Sequence, residues 1–263
     1  MIMDIKILVA THKPYWMPED KVYFPIHVGS EGKTGIGFIG DNTGDNISNK
    51  NANYCELTGL YWAWKNMHAD YIGLCHYRRY FAHKHHGNSI ESKQKAILSK
   101  TDYEVLLQDY DCILPEKRNY YIETVRSQYE HAHSKRDLDE IERIISELYP
   151  EYIPAFHTVM NSKKLYIFNM FVMSSDHFNT YCKWLFNILF ELEKRIDIST
   201  YNKTDARVFG YLSERLFNVW LGHNRLKHKE LNVVFMEKQN WIIKGGNFLK
   251  RKFMKKNSGF DKR

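Results

Sequence analysis

Residues 70–81 read Asp70-Tyr71-Ile72-Gly73-Leu74-Cys75-His76-Tyr77-Arg78-Arg79-Tyr80-Phe81, and their character changes sharply after Cys75. The first six form a short apolar run with the composition of a buried strand. Two consecutive arginines then stand at its carboxyl end. Charge at the mouth of a buried strand is costly unless something anionic meets it. Guanidinium groups match diphosphate oxygens in bidentate geometry, so a phosphate ligand is one reading of Arg78 and Arg79. Pairing with carboxylates at the edge of the core is the other.

Outward from this element the chain alternates. Apolar, β-branched runs at 5–10, 23–28, 111–114, 166–173 and 233–236 read as strands. Helical spacing marks 53–67, 103–108, 119–149, 177–195 and 205–221. In the first of these, Leu57, Leu60, Tyr61 and Trp64 form one stripe that faces the core. Residues 29–50 are rich in Gly, Asn and Asp and read as loop. Strands alternating with helices predict an α/β fold with a mostly parallel central sheet. Ligands of such sheets bind where strands end at their carboxyl edge. Three strand ends carry suitable residues: Thr11-His12-Lys13, His76 to Arg79, and Ser174-Ser175-Asp176, which follows a strand bearing Asn169.

With 263 residues, 43% of them hydrophobic and 15% aromatic, the chain has material for a sizeable core, which excludes wholesale disorder. No apolar run approaches the ~18 residues of a membrane-spanning helix. The N-terminus enters a strand directly, without the features of a signal peptide, so a cytoplasmic protein is expected. Residues 250–263 hold seven cations against Asp261, which accounts for nearly all of the net charge of +7. A basic tail on a near-neutral body does not support a nucleic-acid-binding body, and no nucleic acid is expected as a partner.

Cys55, Cys75, Cys112 and Cys182 lie far apart and read as reduced thiols. Asp109-Tyr110-Asp111 precedes its strand and belongs at the amino edge, opposite the ligand crevice. Asp137 and Asp139 read as a solvated helix face, and His83, His85 and His86 as surface histidines. Glycine-rich nucleotide loops, G-x-S-x-G and H-E-x-x-H are all missing, which lowers the dehydrogenase, P-loop, serine hydrolase and zincin classes.

Asn53-x-Cys55-Glu56-Leu57-Thr58-x-x-Tyr61-Trp62 and Ile72-Gly73-x-x-His76-Tyr77-Arg78-Arg79-Tyr80-Phe81 resemble a bacterial family, domain of unknown function 4422. Thr11-His12-Lys13, Pro25-Ile26-x-Val28-Gly29, Asn169 to Met173, and Arg207-Val208-Phe209-Gly210-x-x-x-Glu214-Arg215-Leu216 are similar to it too. Its members accompany capsule, exopolysaccharide and lipopolysaccharide biosynthesis as glycosyltransferases. The resemblance therefore implies a GT-A-like domain over residues 1–244. Its activity would be a hexosyltransferase moving sugar from a nucleotide donor, a UDP-sugar, to a glycan or lipid-linked acceptor.

On this reading Thr11, His12, Lys13, Asn53, His76, Tyr77, Arg78 and Arg79 hold the donor, and the loop at 41–53 closes over it. Helix capping is the other reading of Asn51 and Asn53, and helix-dipole stabilisation accounts for Glu56. Asn169 and Arg207 belong to the acceptor side. If the reaction inverts, Glu214 is the first choice of proton acceptor and Asp205 the second. Arg207 and Glu214, two helical turns apart, either cooperate on one face or form a surface ion pair. Arginine charge takes the place usually held by a divalent cation, so no metal or other cofactor is expected. Residues 245–263 form a basic amphipathic tail, and 247–263 suit the anionic inner face of the cell membrane. Two other classes remain: a catalytically silent partner of a polysaccharide assembly complex, and a nucleic-acid binder using the tail.

Overall fold

The computed structural model describes residues 3–84 and 87–237. At its centre β1 (Ile5–Thr11) pairs in parallel with β2 (Tyr23–His27) on one side. On the other it pairs in parallel with β4 (Tyr71–His76), while β3 (Ile39–Gly40) extends the sheet beyond β2. Side chains alternate along β1: Leu8 and Ala10 enter one apolar cluster, and Ile5, Ile7 and Val9 enter the cluster on the opposite face. Ile7, Leu8 and Val9 are wholly buried, each contributing about 1.5–3 kcal/mol relative to exposure.

The far edge of β4 has two partners. Its first four residues pair antiparallel with β9 (Phe171–Ser174), and its end turns through Tyr77 and Arg78 into β5 (Arg79–Ala82). Gly73 permits the first of these: a Cβ there would lie 2.8 Å from the Phe171 carbonyl oxygen. β6 (Cys112–Pro115) pairs with β9, and β10 (His228–Phe235) joins β6 to β5, so five strands close a ring of pairings. A separate ribbon joins β7 (Arg118–Asn119) to β8 (Lys164–Leu165).

The main sheet is mixed and not mostly parallel: four of its eight pairings are parallel and four antiparallel. The cause is local. A two-residue connection such as Tyr77-Arg78 can join only antiparallel neighbours.

Helices cover both faces. In chain order they are α1 (Asn51–Tyr54), α2 (Leu57–Asn66), α3 (Ile90–Lys95), α4 (Lys100–Leu106), α5 (Val125–Ala132), α6 (Lys135–Leu148), α7 (Ile153–Asn161), α8 (Ser175–Arg195) and α9 (Val208–Asn224). Three sequence expectations change in ways that build the site. The helix expected at 53–67 breaks at Cys55, whose backbone is left-handed (φ 54°, ψ −132°). The helix expected at 119–149 becomes β7, a turn capped by Thr124, α5 and α6. The strand expected at 166–173 is regular only from Phe171, because Phe168 (φ 80°) and Asn169 (φ 53°) are consecutively left-handed.

Among the described residues no helix is long and apolar enough to cross a membrane. His85, His86, the 244/245 boundary and the basic tail lie outside the described residues.

Candidate functional site

Where β1, β2 and β4 end, the molecule opens into a cleft of about 720 Å³. The strand ends supply Ala10, His12, Val28 and the run His76 to Arg79. The chain around Cys55 supplies Asn51, Ala52, Cys55 and Glu56, and the left-handed segment supplies Ile167 and Phe168. The opposite wall comes from Arg118, Tyr120, Gln128, His133, Lys203 and Arg207, with Gly210, Tyr211, Glu214 and Arg215 of α9. Six of the lining residues are Arg or Lys and two are carboxylates, Glu56 and Glu214, so the cleft attracts anions.

The tight β4–β5 turn delivers the two arginines into the cleft with different partners. Arg78 Nη1 lies 3.0 Å from Glu237 Oε2 and is half-exposed. Arg79 has no ion pair among the described residues, and its buried Nε has no hydrogen-bond partner. Its guanidinium lies 4.5 Å from the centre of the Phe168 ring. Burial, then the neighbouring Arg78 charge, lowers the Arg79 pKa from its usual value, so the protein destabilises the charge it places here.

Beneath them His76 Nε2 donates to the Phe168 carbonyl oxygen at 2.6 Å. Burial holds this imidazole below its ordinary pKa, so it is neutral near pH 7 and its Nδ1 keeps a lone pair. Glu214 Oε1 accepts the Phe168 N–H at 2.8 Å, and its Oε2 accepts from Arg215 Nη1 at 3.2 Å. Burial raises the Glu214 pKa despite Arg215, although 21% of the side chain stays open to the cleft. Glu56 Oε1 accepts from Asn169 Nδ2 at 2.7 Å. Arg207 Nε donates to Cys55 Sγ at 3.1 Å, and burial pushes the thiol up to about 11, so it is protonated.

Of the residues singled out in the sequence, the cleft brings together His12, His76, Tyr77, Arg78, Arg79, Arg207 and Glu214. Burial and Arg78 lower the His12 pKa, and its ring meets Tyr77 edge-on at 5.4 Å. Five others stand outside the lining. Thr11 is fully buried and donates its hydroxyl to the Lys13 carbonyl. Lys13 Nζ lies 3.8 Å from Glu237 and above the Tyr15 and Tyr77 rings. Asn53 Nδ2 donates to the Ala206 carbonyl at 2.8 Å, tying α1 to the turn before α9. Asn169 is buried behind Glu56, and Asp205 holds His133 Nδ1 at 3.2 Å.

The loop expected to close over the donor is pinned instead. Asp41 is fully buried and accepts from Gly29 N, Ser30 N, Ser30 Oγ, Ser48 Oγ and Thr58 Oγ1. Gly29 (φ +63°) is left-handed, and a Cβ there would lie 2.4 Å from the Asn51 side chain. Asn51 does line the cleft while donating to the Cys55 carbonyl at 2.7 Å.

Sequence reasoning missed Glu56 as a cleft residue, together with Arg118, Tyr120, His133 and Arg215. Of these only Glu56 and Arg215 fall inside the quoted motifs. The others come from the 119–149 segment or beside it, where helical periodicity concealed the turn.

Comparison with known proteins adds identity to this geometry. No curated protein matches the chain. Among solved structures, the apo structure of WbbM, a bifunctional glycosyltransferase, is similar at 35% identity with a TM-score of 0.84. The match covers 89% of this chain and 46% of that one, so the chain spans about half the length of WbbM. The profile of domain of unknown function 4422 matches residues 6–225, every segment of the cleft included, and the chain belongs to that family.

Proposed function

We propose that the protein is a glycosyltransferase of GT-A-like fold, transferring a hexosyl group from a UDP-sugar to a glycan or lipid-linked acceptor of a bacterial surface polysaccharide. One observation carries the reading: Arg79 enters a cationic cleft at the carboxyl end of a central strand, with no ion pair among the described residues and an unpartnered Nε. A diphosphate supplies what that group lacks, two anionic oxygens in a plane that fits a guanidinium. The likeness to WbbM supports the reaction class.

In this assignment Arg79 and Arg78 bind the diphosphate and meet the charge that develops on it as the sugar leaves. His12 and Asn51 lie beside the strand ends that receive the nucleoside. Tyr120, Tyr211 and Arg207 form the wall that receives the acceptor. The guanidinium pair takes the electrostatic role of a divalent cation, so the reaction needs none. The basic tail would hold the enzyme at the anionic inner leaflet, where each cation contributes about 1 kcal/mol.

Thermal shift and calorimetry with UDP, UDP-glucose and UDP-galactose, in EDTA and in Mn²⁺, test this assignment. UDP binding that persists in EDTA and is lost in R79A is the expected result. Absence of any UDP binding overturns the donor class, and binding seen only with Mn²⁺ overturns the arginine substitution alone.

A further inference from the structure

We propose that Glu56, and not Glu214, is the catalytic base, in a single-displacement transfer that inverts the anomeric centre; the proposal rests on the glycosyltransferase reading above. The cleft holds two carboxylates, and they are held differently. Both oxygens of Glu214 are engaged by groups of the fold, the Phe168 N–H and the Arg215 guanidinium. Among the described residues Glu56 has one hydrogen-bonded oxygen, held by Asn169 Nδ2 at 2.7 Å, and the residue lines the cleft, so Oε2 is the oxygen it has to offer there. A base must offer a lone pair to a proton in flight, and Glu56 has one to offer.

The surroundings of Glu56 are built to aim it. Asn169 is 3% exposed, and its Nδ2 meets two acceptors, Glu56 Oε1 at 2.7 Å and the Gly210 carbonyl at 3.4 Å, which sets the amide with its N–H groups toward Glu56. Cys55, immediately before Glu56, is left-handed at φ 54°, and its holder Asn169 is left-handed at φ 53°. Such backbone costs roughly 1–3 kcal/mol per non-glycine residue and persists where the surroundings over-determine it. Here two strained residues converge on one carboxylate. Glu56 lines the same cleft as His76, Arg79 and Glu214 and is near enough to act electrostatically on all three.

The step balances as follows. The acceptor O–H breaks and its proton passes to Glu56 Oε2. The electron pair left on oxygen forms the new bond to the sugar C1. The bond from C1 to the β-phosphate oxygen breaks, and UDP departs with that pair, its new charge met by Arg79 and Arg78. Asn169 is a positioning residue in this step: it contacts Glu56, Ser213 and Gly210 of the fold and stands outside the cleft lining.

Donor turnover by the full chain, read as UDP release from UDP-glucose and UDP-galactose with water as acceptor, tests the assignment. In E56Q the rate falls roughly 10²- to 10⁴-fold while the UDP Kd stays within about twofold of wild type. Sodium azide, a nucleophile that needs no base, restores turnover to E56A but not to E214A, and the glycosyl azide has the anomeric configuration opposite to the donor. N169A lowers kcat about tenfold or more with the donor KM unchanged, as a misaimed base requires. Near-wild-type turnover by E56Q, or an azide product of retained configuration, overturns the proposal and leaves the glycosyltransferase reading standing. A wild-type protein that neither binds UDP nor turns over either donor overturns the UDP-sugar assignment and, with it, the step proposed here.

Discussion

Asp41 and Arg79 are both charges taken out of water, yet the fold treats them in opposite ways. Asp41, at 0% exposure, accepts from two backbone N–H groups and three hydroxyls, with no ion pair among the described residues. Arg79 lies over an aromatic ring with its Nε unpartnered and Arg78 next to it. Completed, a buried polar network rigidifies; left open, it stores a cost that only a ligand relieves. The first charge fixes the loop that carries Gly29 and Ser30 against α2. The second waits for an anion.

The largest expected effect follows from the open charge. Replacing Arg79 by Ala should lower UDP-hexose kcat/KM roughly 10³-fold, about 4 kcal/mol, as for removal of a preorganised donor facing developing charge. The thermal midpoint should hold or rise, because the substitution removes an unsatisfied buried group. Steady-state kinetics beside a melting curve read both quantities. A midpoint lowered by more than about 5 °C would place Arg79 with Asp41, in the frame, and break the contrast.

The closed charge predicts the reverse pattern. Asp41→Asn keeps the shape but turns one acceptor oxygen into an N–H₂ facing donors, a loss of about 3 kcal/mol. For a domain of this size that corresponds to a fall of roughly 6–12 °C in midpoint. Turnover per folded molecule, measured well below the transition, should match wild type. A D41N protein that melts normally would show that the five donors find other partners.

This contrast also explains what the sequence could and could not disclose. β1 and β4 are legible because continuous apolar runs buried on both faces have no other explanation, and the arginines that follow them were conspicuous for the same reason. Strand direction was less visible. The Tyr77-Arg78 connection holds none of the Gly, Asn or Asp that mark a hairpin turn, and alternation of strands and helices elsewhere argues for parallel order. At the first strand end the pleat decides which residue serves the cleft: Thr11 turns inward and His12 outward, a distinction of one position. Helical spacing put Arg207 and Glu214 on one face, yet Arg207 goes to Cys55 and Glu214 to Phe168 and Arg215. Glu56 was explained by a helix dipole because its partner, Asn169, is 113 residues away. The break at Cys55 leaves no trace in periodicity, since the stripe from Leu57 to Trp64 continues past it.

Glu214 stands between the two extremes, and the smallest effect expected here sharpens the contrast they make. Its two hydrogen bonds favour the ionised form, but burial outweighs them and raises its pKa above the ordinary 4.5. A carboxyl whose pKa is raised by folding binds a proton more tightly in the folded state. It contributes stability that is fully present below the ordinary value and is lost as pH rises through the raised one. Urea unfolding of wild type and E214Q from pH 4 to 8 reads this contribution, because titrating groups that do not interact with Glu214 cancel in the difference. Wild type should lose ground to E214Q from about pH 4.5 upward and then run parallel to it. Whatever constant penalty the Gln amide brings against Arg215 shifts the curve without changing its slope. A difference that ran flat would mean that Arg215 and the Phe168 N–H offset the burial entirely, giving Glu214 the satisfied character of Asp41. A difference of opposite slope would mean that they exceed it, and Glu214 would then be an ordinary ion-paired carboxylate at the cleft wall.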